Sequence, residues 1–147
     1  MSDTLCAIRG GPGSYQTRLA GLRLAKDHDT TVHFLSVMDP VAYEPLHEGE
    51  QHAIRAEVAW RDLAMAKTTV ARAGLEDVRY TVAVKVGGLA ETIADYAMEI
   101  GAKSILIGSP RSSADAALAS GGVEQFAEEL HLSSGTAVVV VQATSPS

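Results

Sequence analysis

Short continuous apolar runs alternate along this chain with longer stretches in which apolar residues recur every three or four positions. The first pattern marks buried strands and the second marks amphipathic helices. Thr4 to Arg9 reads as a strand, closed by Gly10-Gly11-Pro12-Gly13. Ser14 is placed to cap a helix running to about His28, with Tyr15, Leu19 and Leu22 on one face. The β-branched run Thr30 to Met38 predicts a second strand, ended by Asp39-Pro40. After a polar loop, the alanine-rich segment Gln51 to Ala73 predicts a long helix stopped by Gly74. Val78 to Val84 alternates as a third strand. Gly87-Gly88 leads into a helix carrying Leu89, Ile93, Tyr96, Ala97 and Ile100, with Gly101 at its end. Ser104 to Ile107 is a fourth strand. Val123, Phe126, Ala127 and Leu130 stripe a last helix, and Thr136 to Val141 is a fifth strand.

Strands that alternate with helices predict an α/β fold: a three-layer, doubly wound, parallel five-stranded sheet with helices on both faces. Right-handed crossovers restrict the strand order to 2-1-3-4-5 or 3-2-1-4-5. In either order a ligand site is expected beyond the carboxyl ends of the strands, where the winding reverses. The 147 residues suit a single domain, with a core over about residues 3–142 and a loose tail at 143–147.

Composition narrows the function classes. With 46% hydrophobic and 20% charged residues the chain is globular, not disordered. A net charge of −6 leaves no basic surplus to displace counterions from a nucleic-acid backbone, so no nucleic-acid partner is expected. Cys6 is the single cysteine, so no disulfide forms within the chain, which fits a reducing compartment. The longest apolar run, Ala137 to Val141, is too short to span a bilayer, and Met-Ser-Asp-Thr lacks the features of a signal peptide. The expectation is a cytoplasmic protein with no membrane partner.

The most informative chemistry lies in residues 103–126. A strand stops at Gly108, a loop of small residues follows, and Gly121-Gly122 opens a helix. Glycines let backbone approach an anion, and the free N–H groups of a helix start favour negative charge. Other features point to plainer roles. Gly10 to Ser14 lacks the lysine of a Walker loop and the spacing of a dinucleotide fingerprint, so it reads as a tight turn. His47 and His52 are five apart with no supporting cysteine and read as a solvated loop, with no metal site. His33 reads as a satisfied strand residue, His131 as a cation following the last helix, and Cys6 as inert packing. Trp60 reads as an anchor of the long helix against the sheet, or else as the mark of an interface. No nucleophile elbow occurs and no acid or histidine is placed to activate a serine, so no catalytic residue is expected.

The segment Val84-Lys85-Val86-Gly87-Gly88-Leu89-Ala90-Glu91-Thr92-Ile93-Ala94-Asp95-Tyr96-Ala97, continuing through Gly101 to Gly108, resembles the glycine-led third helix and following strand of universal stress proteins. Leu35 to Pro40 and Thr136 to Val141 resemble that family's second and last strands. The resemblance implies strand order 3-2-1-4-5, a homodimer paired through Thr136–Val141, and a site for ATP or another adenine nucleotide. The site residues carry over unevenly. Arg9, between Ile8 and Gly10, stands where the nucleotide-binding branch has an aspartate. Val37 matches a hydrophobic contact beside the base, and Ile107-Gly108 match the opening of the phosphate loop. Arg111 replaces a glycine, Gly121 is preserved, Gly122 replaces a serine or threonine, and Val123 follows it.

Losing the hydroxyl at Gly122 removes one donor, worth roughly 1.5–3 kcal/mol to a charged acceptor. Arg111 disfavours any loop shape that needs a positive φ, yet its guanidinium suits bidentate anion binding. Two readings follow: the arginines serve a small anionic ligand that is more anionic than ATP or differently shaped, or they fill the crevice and pair with acids such as Asp39 or Asp115. The expected function is a homodimeric regulatory or binding module with an altered nucleotide or anion site. The alternatives are an ATP-binding protein with slow hydrolysis, and a structural dimer whose crevice is filled by protein.

Overall fold

The computed structural model describes residues 3–8, 15–108 and 123–141. Its strands are β1 (Thr4–Ala7), β2 (Thr31–Met38), β3 (Arg79–Val86), β4 (Ser104–Gly108) and β5 (Ala137–Val141). Its helices are α1 (Tyr15–His28), α2 (Pro40–Tyr43), α3 (Glu48–Ala73), α4 (Leu89–Ile100) and α5 (Val123–Ser134). The five strands form one parallel sheet in the order β3-β2-β1-β4-β5. Of the two orders that the chain pattern allows, this is the one the family resemblance implies.

Side chains alternate across the pleat, so each strand feeds two cores. Cys6, Ile8, Val32, Phe34 and Leu106 pack with Leu22 of α1 and with Ala66 and Val70 of α3. Leu5, Leu35, Ile105 and Ile107 pack on the other face with Ile93 and Ala97 of α4 and Leu130 of α5. Gly74 and Gly101 end α3 and α4 in the left-handed conformation, as the sequence predicts.

Several boundaries differ from expectation. β1 ends at Ala7 and not at Arg9, while β4 runs on through Gly108. The loop expected after Asp39 contains α2, whose first turn is capped by the Asp39 side chain accepting from the Val41 N–H at 2.9 Å. α3 starts at Glu48, so His47–His52 is a helix start and not a loop. Glu50 stabilises that start by accepting from the His47 N–H at 3.1 Å. His131 lies within the last turn of α5 and not after it, where its Nδ1 donates to the Thr136 carbonyl at 2.9 Å. Trp60 does not anchor α3: it is 72% exposed.

The two margins of the sheet differ. The Gly87 N–H donates to the Met38 carbonyl, so by the two-residue alternation of a strand the Val84 carbonyl faces away from β2. Arg55 of α3 donates to that carbonyl at 3.0 Å. On β5, at the opposite margin, Val139 is 48% exposed.

Candidate functional site

From β1 the chain winds outward through β2 to β3, then crosses back to place β4 on the other side of β1. The switch point therefore lies between β1 and β4, where Ala7 is level with Ile107. Ile8 continues past β1, with its N–H donating to the Leu35 carbonyl at 2.9 Å. Gly108 ends β4 beside it. Val37 is half-buried on β2 and faces the α4 side, as does Ile107. Ile8 faces the opposite side, towards α1 and α3. The predicted residues Ile8, Val37, Ile107 and Gly108 thus gather along one crest and straddle the sheet. The side chains of Ile8 and Ile107 belong to the core, so at the crest these residues offer backbone. Arg9, Gly10, Arg111, Gly121 and Gly122 lie outside the described residues, as does Ser14; Val123 opens α5.

Gly108 is required where it stands. A Cβ built there would lie 2.8 Å from Oγ1 of Thr17, in the first turn of α1. The absence of a side chain lets the start of α1 close down on the end of β4, bringing a buried hydroxyl to the switch point.

Beneath the crest, between α1, α3 and β2, lies a polar group that the sequence reading missed. Arg18 and Asp62 are both almost fully buried. The Arg18 Nε donates to Thr69 Oγ1 at 3.2 Å, and that hydroxyl donates onward to the Met65 carbonyl at 2.8 Å. Asp62 accepts from Ser36 Oγ through Oδ2 and from Arg61 through Oδ1 at 3.3 Å. Burial pulls the Arg18 guanidinium below its ordinary value, opposed by neighbouring Cys6 and Asp62. It nevertheless stays protonated, since arginine starts so high. The group therefore holds a buried cation and a buried carboxylate together beneath the carboxyl edge of the sheet. The signal for it was present: Arg18 falls three residues after Tyr15 and four before Leu22, on the apolar stripe of α1.

Two other polar features lie at the amino ends of the strands. His33 binds Asp3 Oδ2 through Nε2 at 2.8 Å and Thr81 Oγ1 through Nδ1 at 2.7 Å, so both ring nitrogens are satisfied. A cavity of about 110 Å³ is lined by Thr4, Leu24, His28, Thr30 and Ser104. The hydroxyl of Thr30 has no partner there among the described residues. Both features are remote from the crest. Cys6 is buried, its Sγ donating to the Thr17 carbonyl at 3.2 Å, and burial pushes its thiol up to about 12. It is packing, not a nucleophile. No group of three or more potential metal ligands occurs among the described residues, and no described helix is long and apolar enough to cross a membrane.

The model of the universal stress protein family matches residues 1–146. The chain belongs to that family. Solved universal stress proteins share its fold. One from Burkholderia pseudomallei is 22% identical with a TM-score of 0.65, the match covering 95% of each chain. One from Archaeoglobus fulgidus, in complex with dAMP, is 14% identical with a TM-score of 0.63, covering 96% of this chain and 97% of that one. A universal stress protein in complex with cAMP is 17% identical with a TM-score of 0.61, covering 97% and 98%. No curated protein is a significant match in sequence. Some universal stress proteins of this fold thus bind adenine nucleotides.

Proposed function

We propose that this universal stress protein is a regulatory binding module whose site for an adenine nucleotide, or a related small anion, has been altered at the switch point. The observation that carries the reading is the adjacency of β1 and β4, which sets Ile8 and Gly108 side by side on the carboxyl edge with Val37 on the next strand. That is the position where an open parallel sheet takes its ligand, and two of its structural neighbours hold dAMP and cAMP. The alteration rests on sequence: Arg9, Arg111 and Gly122 replace an acid, a glycine and a hydroxyl. We read the module as working by ligand-dependent population shift, a reading that rests on the sequence, which carries no nucleophile elbow.

The same reading makes the protein a homodimer joined through β5. The support is apolar exposure beside that strand among the described residues, with Val139 half-exposed and Leu132 of the adjoining α5 75% exposed.

Equilibrium titration with ATP, ADP and AMP tests the site. Millimolar or weaker binding of ATP is expected. Micromolar ATP binding rejects the altered site in favour of an intact one.

A further inference from the structure

Asp3, His33 and Thr81 line up as a relay for a proton. His33 on β2 and Thr81 on β3 are level partners in the sheet. Leu35 and Ala83, two residues further on, pack on the α4 side, so His33 and Thr81 share that face. His33 Nε2 lies 2.8 Å from Asp3 Oδ2, and Nδ1 lies 2.7 Å from Thr81 Oγ1. Asp3 is itself held from two sides. Its Oδ1 accepts from the Thr31 N–H at 3.3 Å, and its carbonyl accepts from the Lys103 N–H at 3.1 Å. The carboxylate is thus fixed by its own partners before it orients the imidazole. The three residues are 30 and 48 positions apart in sequence, so no local motif marks them.

These contacts decide which atom carries each proton. A carboxylate only accepts, and a neutral imidazole carries one hydrogen. Asp3 takes the Nε2 hydrogen, which leaves a lone pair on Nδ1, so the Thr81 hydroxyl donates to Nδ1. A hydroxyl that donates to an imidazole backed by a carboxylate is the arrangement of an activated nucleophile. The His33 side chain is 13% exposed while Thr81 is open to solvent, so the base is sheltered and the hydroxyl can be reached. Tyr96 of α4 stands at the same hydroxyl, where hydrogen bonding to Thr81 acts on its phenol. Burial and the Glu99 charge raise that phenol above its ordinary value, so it stays protonated and able to donate. The Lys85 ammonium lies over the Tyr96 ring, 5.4 Å from its centre. A donor and a cation are therefore at hand where charge would develop on a carbonyl oxygen under attack.

We propose that this face of β2 and β3 carries a second site, separate from the crest, at which Thr81 Oγ1 attacks small acyl esters with His33 as general base. Asp3 positions the ring, and Tyr96 donates to the oxyanion. The Oγ1–carbon bond forms as the ester's carbon–oxygen bond breaks, and the Thr81 proton passes through Nδ1 to the departing oxygen. Water then attacks the acyl-threonine and its proton returns through Nδ1 to Oγ1, so that ester and water become acid and alcohol. Thr81 stands in the open, which suits small acyl groups and leaving groups that depart readily. The site goes beyond the nucleotide reading and does not rest on it.

The test uses the full-length protein with two probes. One is p-nitrophenyl acetate, followed as hydrolysis. The other is a fluorophosphonate, whose fluoride is displaced at phosphorus by an activated hydroxyl. Saturable turnover is expected, and peptide mapping should find the phosphonyl group on Thr81. Thr81→Val should abolish both, whereas Thr81→Ser keeps a hydroxyl and should retain both. His33→Gln should slow turnover by about 100-fold or more, the usual share of a general base. Asp3→Asn should lower kcat with KM unchanged, which a purely structural role would not do. A Thr81→Val protein that hydrolyses the ester as fast as the parent overturns the proposal. So does phosphonyl label that leaves Thr81 unmodified, or a folded His33→Gln protein with its full rate. Nucleotide titration reads the crest and ester hydrolysis reads Thr81, so the two readings fail separately.

Discussion

The Ser36 hydroxyl donates to Oδ2 of Asp62 at 2.5 Å, tying β2 to α3 beneath the carboxyl edge of the sheet. With Arg61 on the other oxygen, this bond satisfies a carboxylate that is 1% exposed. Ser36→Ala leaves that oxygen without its partner and is expected to cost about 1–3 kcal/mol. Asp62→Ala removes the acid near the buried Arg18 as well and is expected to cost more, about 3–5 kcal/mol. Urea unfolding checks both, and the midpoint should fall while the slope stays the same.

The Gly108–Thr17 contact yields a second expectation. Gly108→Ala drives a methyl group into a buried hydroxyl 2.8 Å away and should destabilise the fold by about 1–3 kcal/mol. Thr17→Ala in the same chain opens the space and should recover most of that loss. A double-mutant cycle measures the coupling, and additive losses would show that the two residues do not meet.

The Asp3–His33 bond makes stability depend on acid pH. Hydrogen bonding to His33 holds the Asp3 carboxyl below its ordinary value of 3.8, with the Thr31 N–H assisting. A depressed carboxyl contributes stability that is fully present above the unfolded value and is lost as pH falls through the folded one. The contribution of Asp3 should therefore persist down to about pH 4 and fade below it. Asp3→Asn should remove that portion of the pH dependence, read as the unfolding midpoint across an acid series.

The alternation of apolar runs and helical stripes was enough to place the five strands and four of the five helices among the described residues. Glycines with a backbone duty, Gly74 and Gly101, marked two of the helix ends. What escaped the sequence has physical reasons. α2 is a single turn, too short to show periodicity, and its signal is only Asp39 before Pro40. Glu48-Gly49-Glu50 looked like a loop because nothing apolar marks a helix that projects beyond its sheet. Bulk favours burial, which put an inward anchor ahead of an interface for Trp60, but it lies two positions from Asp62, about 200° around the helix, and Asp62 is the residue that points in. Arg18 and Asp62 were passed over because charge suggests a surface, although both sit on stripes of otherwise buried residues. At the crest, Ile8, Val37, Ile107 and Gly108 were singled out by the family resemblance, and the fold brings them to one edge of the sheet. The resemblance gave no hint that two of these side chains would be core, or that Thr17 would stand against Gly108.

Arg55 gives the sheet a polarity of growth. With its guanidinium on the Val84 carbonyl, the β3 border is stoppered at that point, whereas at the β5 border Val139 is half-exposed. Two copies that joined β5 to β5 would build a ten-stranded slab with a stoppered border at each extremity. Lengthening by strand addition would end there, at a finite particle and not a fibre. A single side chain on the far side of the molecule would thus set the limit on what an exposed valine edge can recruit.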